Sequence, residues 1–127
     1  MAIKTLYLPD IKNGWTISYL YQSLPKPGCK FIFTLKDGHD YDNIDPYINL
    51  RGGGISQYVG LDGECTLVIS SNTDYIDNTW AESIIIPSSG GPILGKSYYA
   101  AFEFNKNIME YDQLVLCVTA WPYTTTT

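Results

Sequence analysis

Histidine, cysteine and basic residues are scarce in this chain of 127 residues. It contains one histidine, three cysteines and eight lysine or arginine residues, and its net charge is −5. The missing basic cluster argues against nucleic-acid binding, which depends on neutralising phosphates, and against anionic membranes. The single histidine, His39, has no serine or cysteine that the sequence would pair with it, so we interpret it as a solvated loop residue rather than a general base.

Long apolar runs and metal-type cysteine spacings are also missing. No apolar stretch approaches the length of a membrane span, and the first residues do not resemble a signal peptide. We therefore expect synthesis in the cytoplasm and no membrane insertion, and release by a non-classical route stays open. The number of cysteines is odd, with Cys29, Cys65 and Cys117. We therefore expect reduced thiols within strands, with a Cys29–Cys65 disulfide as the alternative.

The residues that are abundant favour β-strands. Hydrophobic residues make up 45% of the chain and charged residues 17%, which excludes disorder and fits a compact domain. Tyr, Ile, Thr and Phe are common, Gly and Pro recur at short intervals, and few stretches suit a helix. The sequence therefore predicts one all-β domain over residues 1–123, followed by a flexible tail over 124–127.

An acid-tyrosine pair recurs in three loops, beginning at Asp40, Asp74 and Glu110, and each pair is soon followed by an Asp and an amide. Strand-like apolar runs flank each loop. This regularity predicts three pseudo-repeated hairpin units, over residues 14–50, 53–86 and 90–121, arranged as in β-prism or β-trefoil proteins. An antiparallel β-sandwich of the jelly-roll type is the alternative.

The repeated loops carry the residue types that sugar recognition needs. Carboxylates accept bonds from hydroxyl groups, amides donate and accept them, and an aromatic ring covers the apolar face of a pyranose. Trp80 could supply a further aromatic face, whereas Trp15 and Trp121 are expected in the core. The predicted ligand-binding residues are Asp40, Tyr41, Asn43, Asp74, Tyr75, Asn78, Trp80, Glu110, Tyr111 and Gln113.

Metal binding and catalysis have weaker support in the sequence. Asp37, Asp40, Asp42 and Asp45 crowd one loop with the oxygen ligands that calcium prefers, but their spacing is not that of an EF-hand. We predict no metal site and no cofactor, with Ca²⁺ as the alternative. Threefold repetition suits repeated binding better than one asymmetric active site, so the protein is predicted not to be an enzyme.

Both ends of the chain resemble the small bacterial fucose/mannose-binding lectins that depend on calcium. Leu8-Pro9 and Gly14-Trp15-Thr16 are similar to the corner and second strand of those lectins, and Ala120-Trp121-Pro122 is similar to the end of their last strand. The resemblance implies a sandwich that binds sugars with calcium. Those lectins carry a dense acidic run before the last strand, where this chain has Glu110-Tyr111-Asp112-Gln113.

Together these observations predict a lectin-like, carbohydrate-binding protein with up to three weak, pseudo-equivalent sites at its hairpin tips. Glycans or glycoproteins would be the partners, and multivalency or homo-oligomerisation would strengthen the binding. The alternative is a protein-interaction or assembly protein, such as an inhibitor, toxin component or inclusion protein, whose tyrosine-rich loops bind a protein surface. A small β-barrel enzyme is a third hypothesis.

Overall fold

The computed structural model describes residues 1–24, 26–36, 42–44 and 50–122, with residues 42–44 described by their backbone. Within these residues the chain forms ten β-strands and no helix of a length and hydropathy that could cross a membrane. The strands are β1 (Ala2–Tyr7), β2 (Thr16–Ser23), β3 (Phe31–Lys36), β4 (Asp42–Ile44), β5 (Arg51–Gln57), β6 (Thr66–Ser71), β7 (Asp77–Asn78), β8 (Ala81–Ile85), β9 (Gly95–Glu103) and β10 (Leu114–Trp121).

The strands form two antiparallel sheets that face each other. The first sheet has the order β1-β6-β3-β4, and the second has the order β5-β2-β10-β9-β7, with β8 also paired to β9. Phe33 of β3 contacts Tyr19 and Tyr21 of β2 edge-on, with ring centroids 6.3 and 5.1 Å apart. The all-β prediction is confirmed, and the arrangement is the antiparallel sandwich.

Alternation of apolar and polar residues explains why these segments form a shared core. In β10 every second residue from Leu114 to Ala120 is buried, and Leu116 lies opposite Tyr21 of β2. Successive side chains of a strand point to opposite faces, so this pattern buries one face of the sheet. Each fully buried large apolar side chain contributes about 1.5–3 kcal/mol to folding.

The three predicted hairpin units do not recur in the structure. β3 pairs with β4 and β9 with β10, but β6 pairs with β1 and β3, while β8 pairs with β9. The second hairpin is absent because the chain after β6 crosses to the other sheet, where β7 and β8 align with β9. The β-prism or β-trefoil arrangement was therefore wrong. The second strand predicted for the first unit, over residues 47–50, lies mostly outside the residues that the structure describes.

The two ends of the sandwich hold different loops. β6 ends at Ser71 and β9 at Glu103, and we call this the Glu103 end; it includes residues 26–30, 72–77 and 104–113. β3 ends at Lys36, which lies opposite Thr66 at the other end. We call that the Trp15 end; it includes residues 8–15, 58–65 and 86–94. The chain leaves β3 toward the first predicted loop from the Trp15 end.

The three cysteines are free thiols, so the alternative of a Cys29–Cys65 disulfide was wrong. Cys29 and Cys65 are buried and Cys117 is partly buried. Trp15 is partly buried and packs against the core, as expected, and Trp121 is also partly buried. The predicted tail over residues 124–127 lies outside the described residues.

Candidate functional site

The first predicted loop contributes little to the described structure. Asp40 and Tyr41 lie outside the described residues, as do His39, Asp37 and Asp45. Asn43 was predicted at a hairpin tip, but its backbone pairs with Thr34 within β4.

The second and third predicted loops meet at the Glu103 end. The Tyr111 hydroxyl donates a hydrogen bond of 2.5 Å to Asp77 Oδ2, and the Tyr75 hydroxyl lies 3.6 Å from Met109 Sδ. Tyr75 and Asp77 belong to the second loop and its short strand β7, whereas Met109 and Tyr111 belong to the third. The two predicted sites are thus one joined cluster.

The Tyr111–Asp77 bond dominates the electrostatics of this cluster. It holds the pKa of the Asp77 carboxyl below its ordinary value, helped by the Asn78 backbone. The same bond, followed by burial, raises the pKa of Tyr111 to about 12. Burial and then the Asp77 charge raise the pKa of Tyr75 as well. At neutral pH a charged carboxylate therefore accepts from a neutral phenol, which fixes the two loops to each other.

A buried carboxylate organises the third loop. Glu103 is 0% exposed, and its Oε1 accepts bonds from the backbone N–H groups of Glu110 (3.1 Å) and Tyr111 (3.3 Å). Its Oε2 accepts from the backbone N–H groups of Phe104 and Asn105, both at 3.0 Å. A carboxylate can accept several bonds, and these four tie both ends of the loop to the end of β9. Sequence reasoning had placed Glu103 within a strand and missed this role.

Lys26 supplies the positive charge beside Glu103. Its ammonium group lies 3.5 Å from Glu103 Oε1 and 3.2 Å from both Glu110 Oε2 and Asp112 Oδ1. Burial would lower the pKa of Lys26, but the bonds to Asp112 and Glu110 and the charge of Glu103 outweigh it and raise that pKa. Glu110, predicted to bind a ligand, therefore already pairs with a cation of the protein.

Two other predicted residues serve the fold. Gln113 is 0% exposed, and its Oε1 accepts a bond of 2.8 Å from the Phe104 backbone N–H. Asn78 lies in β7, and its side chain donates to the Thr79 carbonyl at 2.9 Å. Gln113 cannot reach a surface ligand from this position, because its side chain is fully buried.

Trp80 and Asp74 are both accessible but lie apart. Trp80 is 38% exposed, and its ring centroid lies 5.7 Å from that of Tyr98, five residues along β9 from Glu103. The side chain of Asp74 is 97% exposed at the Glu103 end, where it contacts the terminal amine of Met1 at 3.0 Å. Of the two predicted acids in the joined cluster, Asp74 is the more exposed, since Glu110 is 60% exposed and pairs with Lys26.

A cavity of about 380 Å³ lies between the second and third loops at the Glu103 end. We call it the loop cavity. Its polar lining residues are Thr73, Asp74, Tyr75, Asn105, Lys106 and Asn107.

The third-loop side of this cavity was missing from the predicted site. Asn105 accepts a bond of 3.0 Å from the Asn107 backbone N–H through its side-chain oxygen. This local bond is typical of an Asx turn. The residues Asn105-Lys106-Asn107 therefore looked like an ordinary turn in the sequence, and only their position opposite Tyr75 places them in a cavity.

Within the part of the chain that the structure describes, no three or more His, Cys, Asp or Glu side chains are grouped as metal ligands. The carboxylates of Glu103, Glu110 and Asp112 all pair with the Lys26 ammonium. Asp42 is described by its backbone, so the acidic loop predicted as the alternative calcium site lies outside this description.

Comparison with known proteins yields a similarity of fold. No protein-family model matches the chain, and no curated protein sequence is significantly similar to it. The structure is similar to that of lectin CV2L from Chromobacterium violaceum, which was solved in complex with alpha-methyl-fucoside. The TM-score is 0.52 at 12% sequence identity, and the match covers 93% of this chain and 95% of that chain. The resemblance to bacterial lectins is thus confirmed for the fold.

Proposed function

We propose that the protein is a lectin-like, non-catalytic protein that binds carbohydrates in the loop cavity. The observation that carries this proposal is the cavity itself, which lies between two of the predicted sugar-binding loops and is lined by hydrogen-bonding side chains. The fold supports the same ligand class, since a protein of similar structure is a lectin that was solved with a fucoside bound.

The lining of the loop cavity matches the chemistry of a sugar ring. Asp74 offers acceptors for hydroxyl groups, Lys106 offers donors, and the amides of Asn105 and Asn107 offer both. Tyr75 supplies the aromatic side chain. The volume of about 380 Å³ lies in the range of small-molecule sites, which suits one or two sugar rings.

Both walls of the cavity have rigid supports. Glu103 holds the third loop through four backbone bonds, and the Tyr111–Asp77 bond joins that loop to the second. A site that is ordered before binding loses less conformational entropy when the ligand arrives. In the proposal, Glu103, Asp77 and Tyr111 are therefore positioning residues, and the groups lining the cavity touch the sugar.

A glycan array, followed by titration of the sugars it identifies, tests this proposal. Asp74→Asn removes the charged acceptor and should weaken binding about tenfold, because a hydrogen bond to a charged group is worth about that factor. Glu64→Gln is the matched control, since it removes the same charge from an exposed residue at the Trp15 end and should leave affinity unchanged.

The result also decides whether calcium takes part. An array run with and without calcium should give the same sugars if the side chains of the loop cavity act alone. Absence of sugar binding under both conditions would refute the proposed function. Equal losses in Asp74→Asn and Glu64→Gln would show that overall charge, and not the loop cavity, governs the binding.

Protein binding is the second candidate function, and one surface favours it. On the outer face of the six-stranded sheet, Leu20 is 68% exposed, Ile55 71%, Tyr99 42% and Val115 40%. Exposed apolar residues on one face are typical of protein contacts. Capture of a protein partner that persists in excess free sugar and in Asp74→Asn would favour this function over the first.

A further inference from the structure

A second cavity lies at the Trp15 end, opposite the loop cavity. Its volume is about 480 Å³, and we call it the Trp15 cavity. It is formed between the segment that follows β1 and the hairpin of β8 and β9, and its main lining residues are Asp10, Lys12, Trp15, Ile84, Ile93 and Lys96. None of these residues belongs to the site described above.

The apolar wall of the Trp15 cavity is accessible and firmly supported. Trp15 packs against the core, and part of its surface lines the cavity. Ile84 of β8 and Ile93 of the loop before β9 are each 59% exposed. The hairpin of β8 and β9 is closed by a 2.7 Å bond from the Leu94 N–H to the Ile85 carbonyl. An open cavity with an aromatic and aliphatic wall is the usual setting for a small ligand.

The polar wall is held in place by a charged network. The Lys96 ammonium bonds to Asp10 Oδ2, lies 3.4 Å from Glu82 Oε1 and lies 5.5 Å from the centre of the Tyr98 ring. The hydroxyl of Tyr98, which is almost fully buried, donates to the same Asp10 oxygen at 3.5 Å. These contacts fix the ammonium and the carboxylate before any ligand binds, which is the condition for a pre-organised site.

The network leaves hydrogen-bonding capacity toward the cavity. An ammonium group has three N–H donors, and Asp10 and Glu82 engage two of those of Lys96. Asp10 accepts both of its described bonds at Oδ2, so its other carboxylate oxygen can still accept. The side chain of Asp10 is 49% exposed, which keeps that oxygen within reach of a ligand.

The charges around the cavity select a neutral ligand. Asp10 and Glu82 balance Lys12 and Lys96, so an ion would meet no net opposite charge. A neutral ring with one apolar face and several hydroxyl groups matches an aromatic wall facing a donor and an acceptor. From this geometry we infer that the Trp15 cavity is a second carbohydrate site, for a neutral pyranose whose apolar face lies against Trp15.

This inference rests on the proposed function for its ligand class, but it concerns a separate site. β9 spans nine residues between the two cavities, which separates them by roughly 25–30 Å at about 3.3 Å per residue. One chain could then bind two glycans at once from opposite ends. Cross-linking of glycan-bearing surfaces would need no oligomer, since two sites on one rigid body already provide multivalency.

Two-dimensional NMR of the labelled protein, titrated with methyl-α-fucoside or methyl-α-mannoside, tests the inference. Such a titration detects weak binding and reports on both cavities at once. We expect two separate groups of shifting signals. One contains the Trp15 indole N–H with the Ile93 and Lys96 amides, and the other contains the amides of residues 105–107. The Trp15 signal is identified through its loss in Trp15→Phe.

Variants separate the two sites. Ile84→Glu places a charge at the mouth of the Trp15 cavity and should abolish the shifts there, while residues 105–107 respond as before. Ile3→Glu is the matched control, because Ile3 is also an exposed strand residue, at 64% exposure, outside both cavities. It should change neither group of shifts. Asp74→Asn should weaken binding at residues 105–107 by about tenfold and leave the Trp15 signals unaffected.

The outcomes distinguish the inference from the proposed function. Shifts confined to residues 105–107 would overturn the second site and leave the proposed function in place. Shifts confined to the Trp15 cavity would support the second site and refute sugar binding in the loop cavity. Absence of both groups of shifts with every sugar tested would overturn both.

Discussion

Replacement of Glu103 by Gln tests the role assigned to the buried carboxylate. Gln has nearly the same shape but no charge, and one of its two oxygen positions becomes an NH₂ group. If the NH₂ takes the place of Oε2, the Phe104 N–H keeps its second acceptor, the Gln113 side chain, at 2.8 Å. The Asn105 N–H, however, loses its acceptor and faces a second donor.

The cost of Glu103→Gln follows from these bonds. Loss of the charge-assisted bond to Asn105 costs about 1.5–3 kcal/mol, and the bonds to Glu110 and Tyr111 each weaken by about 1 kcal/mol when the acceptor becomes neutral. Gln is less costly to bury than a carboxylate, which offsets part of this loss. We expect a net decrease in unfolding free energy of at least about 2 kcal/mol, or roughly 6–10 °C in Tm for a domain of this size.

Urea unfolding followed by tryptophan fluorescence measures this change, and amide hydrogen exchange shows where it arises. The N–H groups of residues 105, 110 and 111 should exchange faster in Glu103→Gln than in the wild type. Glu110→Gln is the control, since Glu110 contacts Lys26 through a side chain that is 60% exposed, and should cost less than about 1 kcal/mol. A change of under about 0.5 kcal/mol in Glu103→Gln would refute the reasoning.

Two further substitutions test the contact between the loops and the close approach of β9 to β10. Because the pKa of Asp77 is depressed in the folded protein, its charge stabilises the fold above about pH 4, and this contribution is lost as the pH falls through the depressed value. Tyr111→Phe removes the main cause of the shift, so the variant should lose less stability than the wild type between pH 5 and pH 2 in urea unfolding; equal losses would contradict the assignment. Gly95→Ala would place a Cβ 2.5 Å from the Ala120 carbonyl oxygen and 3.1 Å from the Trp121 ring. It should cost about 1–3 kcal/mol in thermal unfolding, and a wild-type midpoint would contradict that close packing.

The strands themselves could be predicted because their signal is local. The apolar runs beginning at Cys29 and Cys65 became β3 and β6, and the run from Leu114 to Ala120 became β10. In each of these strands, side chains alternate between the core and the outer face. Period-two alternation in runs rich in β-branched and aromatic residues reports directly on a half-buried strand.

The pairing of the strands could not be predicted in the same way. The segments that form β6 and β8 resemble the two arms of a hairpin in the sequence, yet they lie in different sheets. Nothing in residues 72–80 marks the crossing, because their polar turn chemistry would serve a hairpin equally well. The choice is made by distant partners, since β1 and β3 occupy both edges of β6.

The burial of Glu103 could not be predicted from the alternation of apolar and polar residues. It lies between Phe102 and Phe104, which are both buried, so period-two spacing predicts a side chain facing solvent. β9 ends at Glu103, however, and the next residues fold back over it to donate their N–H groups. The alternation of buried and exposed side chains holds only while the chain stays extended. The residues of the site lie in loops, where the chain is not extended.

The second and third of the similar loops therefore share residue types and not a conformation. Tyr111 adopts φ 52°, which is unusual for a residue other than glycine, and is held there by Glu103 at its N–H and by Asp77 at its hydroxyl. Tyr75 has no positive φ and points its hydroxyl toward Met109. The two tyrosines play complementary roles, one joining the loops and one lining the cavity between them. A recurring motif can thus build a single asymmetric site. The number of ligands that this protein binds should therefore follow the number of its cavities and not the number of its repeated loops.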